Sequence, residues 1–202
     1  MTREAVELCA RTAEERGLAA GLEAALDRVD VVAAAPGRVA AVPLAWAESS
    51  PFEAVPHPHA EAEGIAFVRV PGAGPVHTLS LAGRLAGSRL GLSAAALSAA
   101  ARRLSGRKSA GEPLIRAQLV TGSVADTVVE IDLLRHRAFL LDRSPTPEFA
   151  AIVHSEIDRL DWSISMLFGA SGYTTDRWGA ALLVSALTAN SWVPGTEVRM
   201  WS

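Results

Sequence analysis

The feature that most constrains this sequence is a helical pattern that begins near His77 and continues almost to the end of the chain. Apolar residues recur there at three- and four-residue spacing, and turns that contain glycine or proline interrupt the pattern. The interruptions predict four helices, at about Leu79 to Leu104, Pro113 to Leu141, Pro147 to Leu167 and Asp176 to Asn190. Because the connections between them are short, we expect an antiparallel four-helix bundle.

The residues before the bundle have a different pattern. The segment from Glu4 to Leu26 has apolar residues at helical spacing and is interrupted near Gly17, which predicts one bent helix or two short ones. In VDVVAAAPGRVAAVPLAW, a Pro-Gly pair separates two apolar runs, which predicts two strands joined by a tight turn. GIAFVRV predicts a third strand, and AESSPFEAVPHPHAEAE between them predicts a proline-rich loop.

These patterns together predict a mainly α fold in three parts. Residues 1–28 form a short N-terminal helical segment, residues 29–76 a small β-region and residues 77–202 the four-helix bundle. Half of the 202 residues are apolar, so the chain can bury a core without disulfides.

Composition excludes several classes of function. The net charge is −3 and lysine supplies only one of the nineteen basic residues, so the sequence lacks the basic surface that nucleic-acid binding requires. No secretory signal is recognisable at the N-terminus, and no apolar run is suited to a membrane span. A single cysteine, Cys9, suits a reducing compartment, and we expect a cytoplasmic protein.

Two features predict close helix packing. Gly83, Gly87 and Gly91 follow one another at four-residue spacing, which places them on one face of a helix that another helix can approach closely. We expect that face to be buried. We also expect Cys9 to pack between helices and not to act as a metal ligand or nucleophile.

Three short motifs indicate no site. His57 and His59 in HPH lack a third ligand nearby, so we predict no metal site. GASGY does not match the spacing of a nucleophile elbow, and it joins two helices where that motif joins a strand to a helix. GAG, at residues 72–74, is too short for a dinucleotide fingerprint and is better explained as a linker.

The segment GRKSAG is a stronger candidate. It places the guanidinium of Arg107 and several backbone N–H groups where one helix ends and the next begins, and the start of a helix favours an anion. A phosphate could bind there. On this segment alone, a solvated basic loop is the better explanation of the residues.

At two of its turns the sequence resembles the C-terminal helical domain of the acyl-CoA dehydrogenase family. The family's pattern after its first bundle helix matches without a gap, at Arg107, Gly111, Pro113, Leu114, Gln118, Ala125 and Asp126. LFGASGYTTD resembles the family's Gly-Gly-x-Gly-Tyr turn. The β-region resembles the second half of the family's middle domain, and the resemblance extends from about Val29 to Thr196.

The resemblance implies a bundle that packs against a copy of itself or a relative, with FAD lying across the contact. It assigns FAD contacts to Arg107, Ser109 and Leu114, and to Gly169 in the second turn. Thr196 would complete the set. The FAD would be held mainly by another chain.

The chain also departs from the family pattern. Pro194 stands where the family commonly has its catalytic glutamate, a one-residue offset gives Val193, and the alternative position of the base falls near Leu81. We therefore predict no catalytic residue. Among the positions that contact FAD in the family, Ala110 replaces an aromatic residue, Met166 replaces a glutamine and Ala170 replaces a glycine.

The first hypothesis for function is a shortened subunit without a catalytic base, which pairs with an acyl-CoA dehydrogenase-like chain. The heteromeric, FAD-dependent enzyme would α,β-desaturate an acyl-CoA, for which a steroid side-chain CoA ester is a reasonable candidate. One alternative is a flavin-free scaffold or ligand-binding protein. Another is a homo-oligomer that performs non-redox chemistry on an acyl thioester.

Overall fold

The computed structural model describes residues 3–35, 37, 39–71, 79–169 and 177–193. It is mainly helical, with a small antiparallel sheet before the helical bundle, so the expected fold class is confirmed. Most of the buried apolar residues belong to one continuous core that extends from Val6 to Val193. The division into three parts remains a prediction, because residues from all three parts contribute to this one core.

The N-terminal segment forms two short helices, as the sequence predicts. They are α1 (Arg3–Arg16) and α2 (Leu18–Ala25), and they are separated by Gly17, whose φ of 92° only glycine adopts freely. Cys9 is buried, which confirms its packing role.

The β-region differs from the prediction in its first half. Val31–Ala34 is a single helical turn, α3, because the Asp30 carboxylate accepts hydrogen bonds from the amides of Val32 (3.0 Å) and Ala33 (3.1 Å) and so caps a helix start. A four-residue apolar run does not show whether its period is that of a strand or a helix. The predicted strand pair is therefore wrong here, although its second half is strand β1, Val39–Pro43.

The predicted proline-rich loop contains regular structure. It holds α4 (Leu44–Glu48), strand β2 (Ala54–Val55) and α5 (Pro58–Ala62), and it leads into β3 (Ile65–Arg69), the predicted third strand. The order in the sheet is β1-β3-β2, with both pairs antiparallel. His57 caps the start of α5, because its Nδ1 accepts the Ala60 amide at 3.2 Å. Within the described ranges, no group of His, Cys, Asp and Glu side chains is arranged to hold a metal ion.

The bundle consists of four helices close to the predicted ones: α6 (Leu79–Gly106), α7 (Gln118–Arg143), α8 (Pro147–Leu167) and α9 (Arg177–Trp192). Gly83 near the start of α6 lies against Asp142 at the end of α7, so these helices are antiparallel. His154 and Asp161 on α8 contact Ala82 and Ser93 on α6, so α6 and α8 run parallel. None of the helices in the described ranges combines the length and apolar character needed to cross a membrane.

The glycine face of α6 is buried, which confirms the prediction. A Cβ on Gly83 would lie 2.6 Å from the Asp142 backbone, and one on Gly87 would lie 2.6 Å from the Val6 carbonyl oxygen. The face therefore admits α7 at one end and α1 along the rest. At the last turn of α9, the Trp192 indole donates to the Ala41 carbonyl at 2.7 Å and so joins the bundle to β1.

Candidate functional site

The turn between α6 and α7 is an exposed hairpin. Strand β4 (Lys108–Ser109) pairs with β5 (Glu112–Pro113), and the two residues between them, Ala110 (φ 50°) and Gly111 (φ 89°), both have positive φ. Such a pair is typical of a type I′ turn, which glycine adopts freely and alanine at a cost of about 1–2 kcal/mol. The hairpin is thus short and conformationally defined.

The hairpin fixes the backbone of Arg107 and leaves its side chain exposed. The Arg107 carbonyl accepts the Leu114 amide at 2.8 Å, and the Arg107 amide donates to Arg103 at the end of α6 at 3.2 Å. Leu114 begins a short 3₁₀ helix, Leu114–Arg116, that packs against α6 and is partly buried. Of the residues predicted to contact FAD, Arg107 and Ser109 are exposed, whereas Leu114 is partly buried between the hairpin and α6.

The surface around the hairpin is positively charged. Five basic residues lie within fifteen positions, and all are exposed: Arg102, Arg103, Arg107, Lys108 and Arg116. Glu112 is the one acid in this stretch, and it contacts Arg116 at 3.1 Å. In a chain of net charge −3, this concentration favours an anionic ligand.

The same surface includes the N-terminus of α7. Its N-cap, Ala117, has no side chain that could accept the first amides of the helix, and the helical ladder begins with the Thr121 amide, which donates to the Ala117 carbonyl at 2.9 Å. The first amides of an α-helix have no intrahelical acceptor and carry partial positive charge. A phosphate that contacts Arg107 could therefore also meet these amides.

Gly169 lies at the same end of the bundle. It directly follows Phe168, the C-cap of α8. Its φ of 69° and the hydrogen bond that its amide donates to the Met166 carbonyl (3.0 Å) terminate the helix. Because α8 runs parallel to α6, its C-terminus and the hairpin after α6 share one end. A Cβ on Gly169 would meet nothing within 4 Å, so glycine serves the backbone conformation there.

The other predicted positions are less informative. Thr196, Pro194 and Ala170 lie outside the described residues. Val193 is described and buried, at the end of α9 that lies beside β1 and away from the hairpin. Leu81 is also fully buried, and neither side chain has a carboxylate.

A second constellation, which the sequence reasoning missed, lies inside the bundle. The Arg89 side chain is 2 % exposed and directs all five of its N–H groups to acceptors on two other helices. Nε donates to the Ser185 hydroxyl on α9 (3.0 Å), and Nη1 donates to His154 at both its carbonyl and its Nδ1 (3.2 Å each). Nη2 donates to Asp158 (2.5 Å) and Asp161 (3.3 Å).

This geometry fixes the tautomer of His154. Arginine can only donate, so Nδ1 of His154 accepts and the ring proton is on Nε2, which donates to the Ala82 carbonyl at 3.1 Å. Burial, together with the Arg89 charge, lowers the pKa of His154 from 6.5 to about 3. The ring is therefore neutral at any physiological pH.

The signal for this cluster was present in the sequence. Arg89 interrupts the apolar pattern of α6, and His154, Asp158 and Asp161 occur at spacings of four and three on the face of α8 that buries Ile157. Charged residues at core positions of a helix must be paired or neutralised. Their common pairing depends on the parallel arrangement of α6 and α8, which the helical pattern does not reveal.

Comparisons with known proteins place the fold. No family model and no curated protein matches the sequence. Among solved structures, the chain is similar to an acyl-CoA dehydrogenase from Geobacillus kaustophilus, with 16 % identity, a TM-score of 0.50 and coverage of 68 % of this chain and 45 % of that one.

Two further solved structures are similar to the chain. A variant of the Tcur3481–Tcur3483 steroid acyl-CoA dehydrogenase is 20 % identical, with a TM-score of 0.51 and coverage of 68 % of this chain and 44 % of that one. The ChsE4–ChsE5 complex from Mycobacterium tuberculosis is 17 % identical, with a TM-score of 0.50 and coverage of 69 % and 45 %. The chain thus spans less than half the length of these structures. We conclude that it has an acyl-CoA dehydrogenase-like fold, with the helical bundle of that fold's C-terminal domain.

Proposed function

We propose that this chain is a shortened subunit of a heteromeric, FAD-dependent acyl-CoA dehydrogenase, and that its α6–α7 hairpin completes the FAD site of a catalytic partner chain. The observation that carries the proposal is the combination at the hairpin of an exposed Arg107, a surrounding excess of positive charge and a helix start without a side-chain cap. These groups suit a diphosphate.

In the proposed site each residue has a separate role. The Arg107 guanidinium would bind a diphosphate oxygen, Ser109 would donate its hydroxyl hydrogen and Leu114 would hold the hairpin against α6. Gly169, at the same end of the bundle, would allow close approach of the cofactor, and Thr196 would add a contact elsewhere on it. FAD, when bound, supplies the acceptor for the hydride that leaves the acyl β-carbon.

The partner would supply the remaining chemistry. Neither Leu81 nor Val193 offers a carboxylate to remove the α-proton of an acyl thioester, and Pro194 is likewise unable to do so. A chain that contacts FAD but lacks a base requires a second subunit for activity.

An exposed apolar stripe on α7 supports the proposal that a partner chain binds this subunit. Its members are Leu119 (87 % exposed), Val129 (68 %), Leu133 (52 %) and Leu140 (52 %). At 3.6 residues per turn these four side chains fall within an arc of roughly 80°, so they lie on one side of the helix, which they share with the exposed Asp126. The stripe begins beside the hairpin, and we propose that the acyl-CoA dehydrogenase-like partner chain covers it.

The substrate that we propose for the complex rests on an analogy with solved structures of the same fold. One solved structure with this fold is a variant of the Tcur3481–Tcur3483 steroid acyl-CoA dehydrogenase, and another is the ChsE4–ChsE5 complex. A steroid side-chain CoA ester, α,β-desaturated in the cytoplasm, is therefore the substrate that we propose to test first.

The first test is native mass spectrometry of the tagged chain isolated from its own host. We expect a complex that contains a second, acyl-CoA dehydrogenase-like polypeptide and FAD. A homo-oligomer free of flavin would overturn the proposal and favour the alternative, a scaffold or ligand-binding protein. The replacement of the family's aromatic residue by Ala110 is the observation that favours this alternative.

The role of the hairpin can be tested within the complex by Arg107→Glu. This substitution places a like charge beside a diphosphate, so we expect loss of most bound FAD, measured by flavin absorbance after gel filtration. Arg143→Glu is the matched control, because it makes the same charge change at the other end of α7 and should leave FAD bound. Equal flavin retention in the two variants would remove Arg107 from the site.

A further inference from the structure

The cluster around Arg89 contains a hydroxyl group with more acceptors than hydrogens. The Ser93 hydroxyl lies 3.0 Å from the Arg89 carbonyl oxygen and 2.5 Å from Oδ1 of Asp161. Serine has one hydroxyl hydrogen, and a carbonyl oxygen can only accept. If Asp161 is a carboxylate, two acceptors compete for one hydrogen.

A proton on Oδ1 of Asp161 removes this competition. The carboxyl group then donates to the Ser93 hydroxyl oxygen, and Ser93 donates its own hydrogen to the Arg89 carbonyl. Each of the two hydroxyl hydrogens, on Asp161 and on Ser93, then has its own acceptor. The O···O distance of 2.5 Å also suits a carboxyl group that takes part in a short, strong hydrogen bond.

The distribution of charge leads to the same conclusion. Asp158 and Asp161 both contact a single nitrogen, Nη2 of Arg89, at 2.5 Å and 3.3 Å. The side chain of Asp158 is 33 % exposed, whereas that of Asp161 is 7 % exposed. With both carboxylates ionised, the cluster carries an uncompensated negative charge, and the cost of desolvating that charge is greatest at Asp161.

We propose that Asp161 is a proton-dependent switch in the bundle core: its carboxyl group holds a proton in the neutral cluster and releases it to solvent as the pH rises, which leaves two carboxylates to share one guanidinium nitrogen. The released state places a second, buried negative charge beside Asp158 and so destabilises the folded bundle. The switch thus couples pH to the stability of the core that α6 and α8 share.

The groups that face Asp161 set the pH range over which its carboxyl group releases the proton. Burial raises the pKa of Asp161 from 3.8 to about 7, Arg89 and Ser93 oppose the rise, and Asp158 adds to it. From α6 the group is faced by Arg89 and Ser93, and on its own helix by Asp158 and His154. Helix α9 contributes Ser185, which bonds to Arg89 and carries no charge. His154 stays neutral through the range, because its pKa is lowered to about 3.

The direct test is a pH titration of the Asp161 side-chain carboxyl ¹³C resonance in the full chain by NMR. We expect a protonated carboxyl group at pH 5 and a titration midpoint near 7. In Asp158→Asn, Asp161 becomes the remaining counter-ion of Arg89, so its midpoint should fall by at least roughly one unit. A carboxylate resonance for Asp161 at pH 5 in the wild-type chain would overturn the proposal.

Stability provides a second, independent test. Asp161→Asn resembles the protonated acid, because its amide can donate to Ser93 and accept from Arg89. The ratio of the unfolding constants, wild type over variant, should rise roughly tenfold per pH unit between about pH 4 and 7 and then level off. A ratio that is independent of pH would also overturn the proposal, and the wild-type titration decides the question if the variant does not fold.

Discussion

Gly91 on α6 faces the carbonyl oxygen of Ala10 on α1 so closely that a Cβ at residue 91 would collide with it. The same Cβ would lie 2.8 Å from the Ala10 carbonyl carbon and 3.0 Å from the Ala13 Cβ, and the backbone atoms cannot move without moving α1. The contact explains why the chain has glycine on this face of α6. It also shows that the N-terminal helix is part of the packed core.

We therefore expect Gly91→Ala to destabilise the protein by about 3 kcal/mol, since the extra methyl group forces α1 away from α6. The matched control is Gly122→Ala on α7, where an added Cβ meets nothing within 4 Å. There the substitution should stabilise the protein by about 0.5–1 kcal/mol through helix propensity. Urea unfolding of both variants measures the difference, and similar effects at the two sites would contradict this account of the α1–α6 contact.

The buried position of Cys9 predicts low reactivity. Burial raises the pKa of the thiol from 9.0 to about 11, with the Arg84 charge opposing the rise. At pH 8 the thiolate fraction should fall about 100-fold, so alkylation by iodoacetamide should be slowed by at least that factor in the folded protein. Mass spectrometry of alkylation in buffer and in denaturant compares the two rates, and equal rates would mean that α1 is not docked.

The sequence predicts an element of this structure more accurately when the apolar repeat that indicates it is long. The bundle helices were predicted within a few residues, except that α7 begins at Gln118 and not at Pro113, because the hairpin and a 3₁₀ turn come first. The short run at Val31 was predicted wrongly, since a side-chain cap from Asp30 and not the apolar pattern decides its conformation.

The candidate sites differ in the same way. The hairpin at Arg107 could be found from the sequence because its residues are contiguous and resemble a known motif. The Arg89 cluster could not, because it joins α6, α8 and α9 across 96 residues, from Arg89 to Ser185. A cluster of this kind requires the relative direction and register of three helices, which only packing determines.

The lowered pKa of His154 gives a prediction for the stability of the protein in acid. Because its folded pKa of about 3 is below its ordinary value of 6.5, the folded state binds fewer protons than the unfolded chain between these values. Stability is thus lost as the pH falls through this window, by up to about 1.4 kcal/mol per unit. Asp161 opposes this trend over much of the range, so Asp161→Asn is the background in which to measure it. A ¹⁵N imidazole spectrum should show the neutral Nε2–H form at pH 5, and an imidazolium signal there would contradict the assignment.

The exposed stripe on α7 predicts that partner binding can be separated from folding. The double substitution Leu119→Ser and Leu133→Ser removes two apolar side chains that are 87 % and 52 % exposed, so the isolated chain should keep its unfolding midpoint within a few degrees. Association with the proposed partner should weaken at least roughly tenfold, because both substitutions remove apolar surface that the partner would bury. Leu8→Ser, which changes an apolar residue of similar exposure (47 %) on α1, is the control. Mass photometry of the co-expressed chains measures the complex, and an unchanged complex in the double variant would show that the partner binds elsewhere.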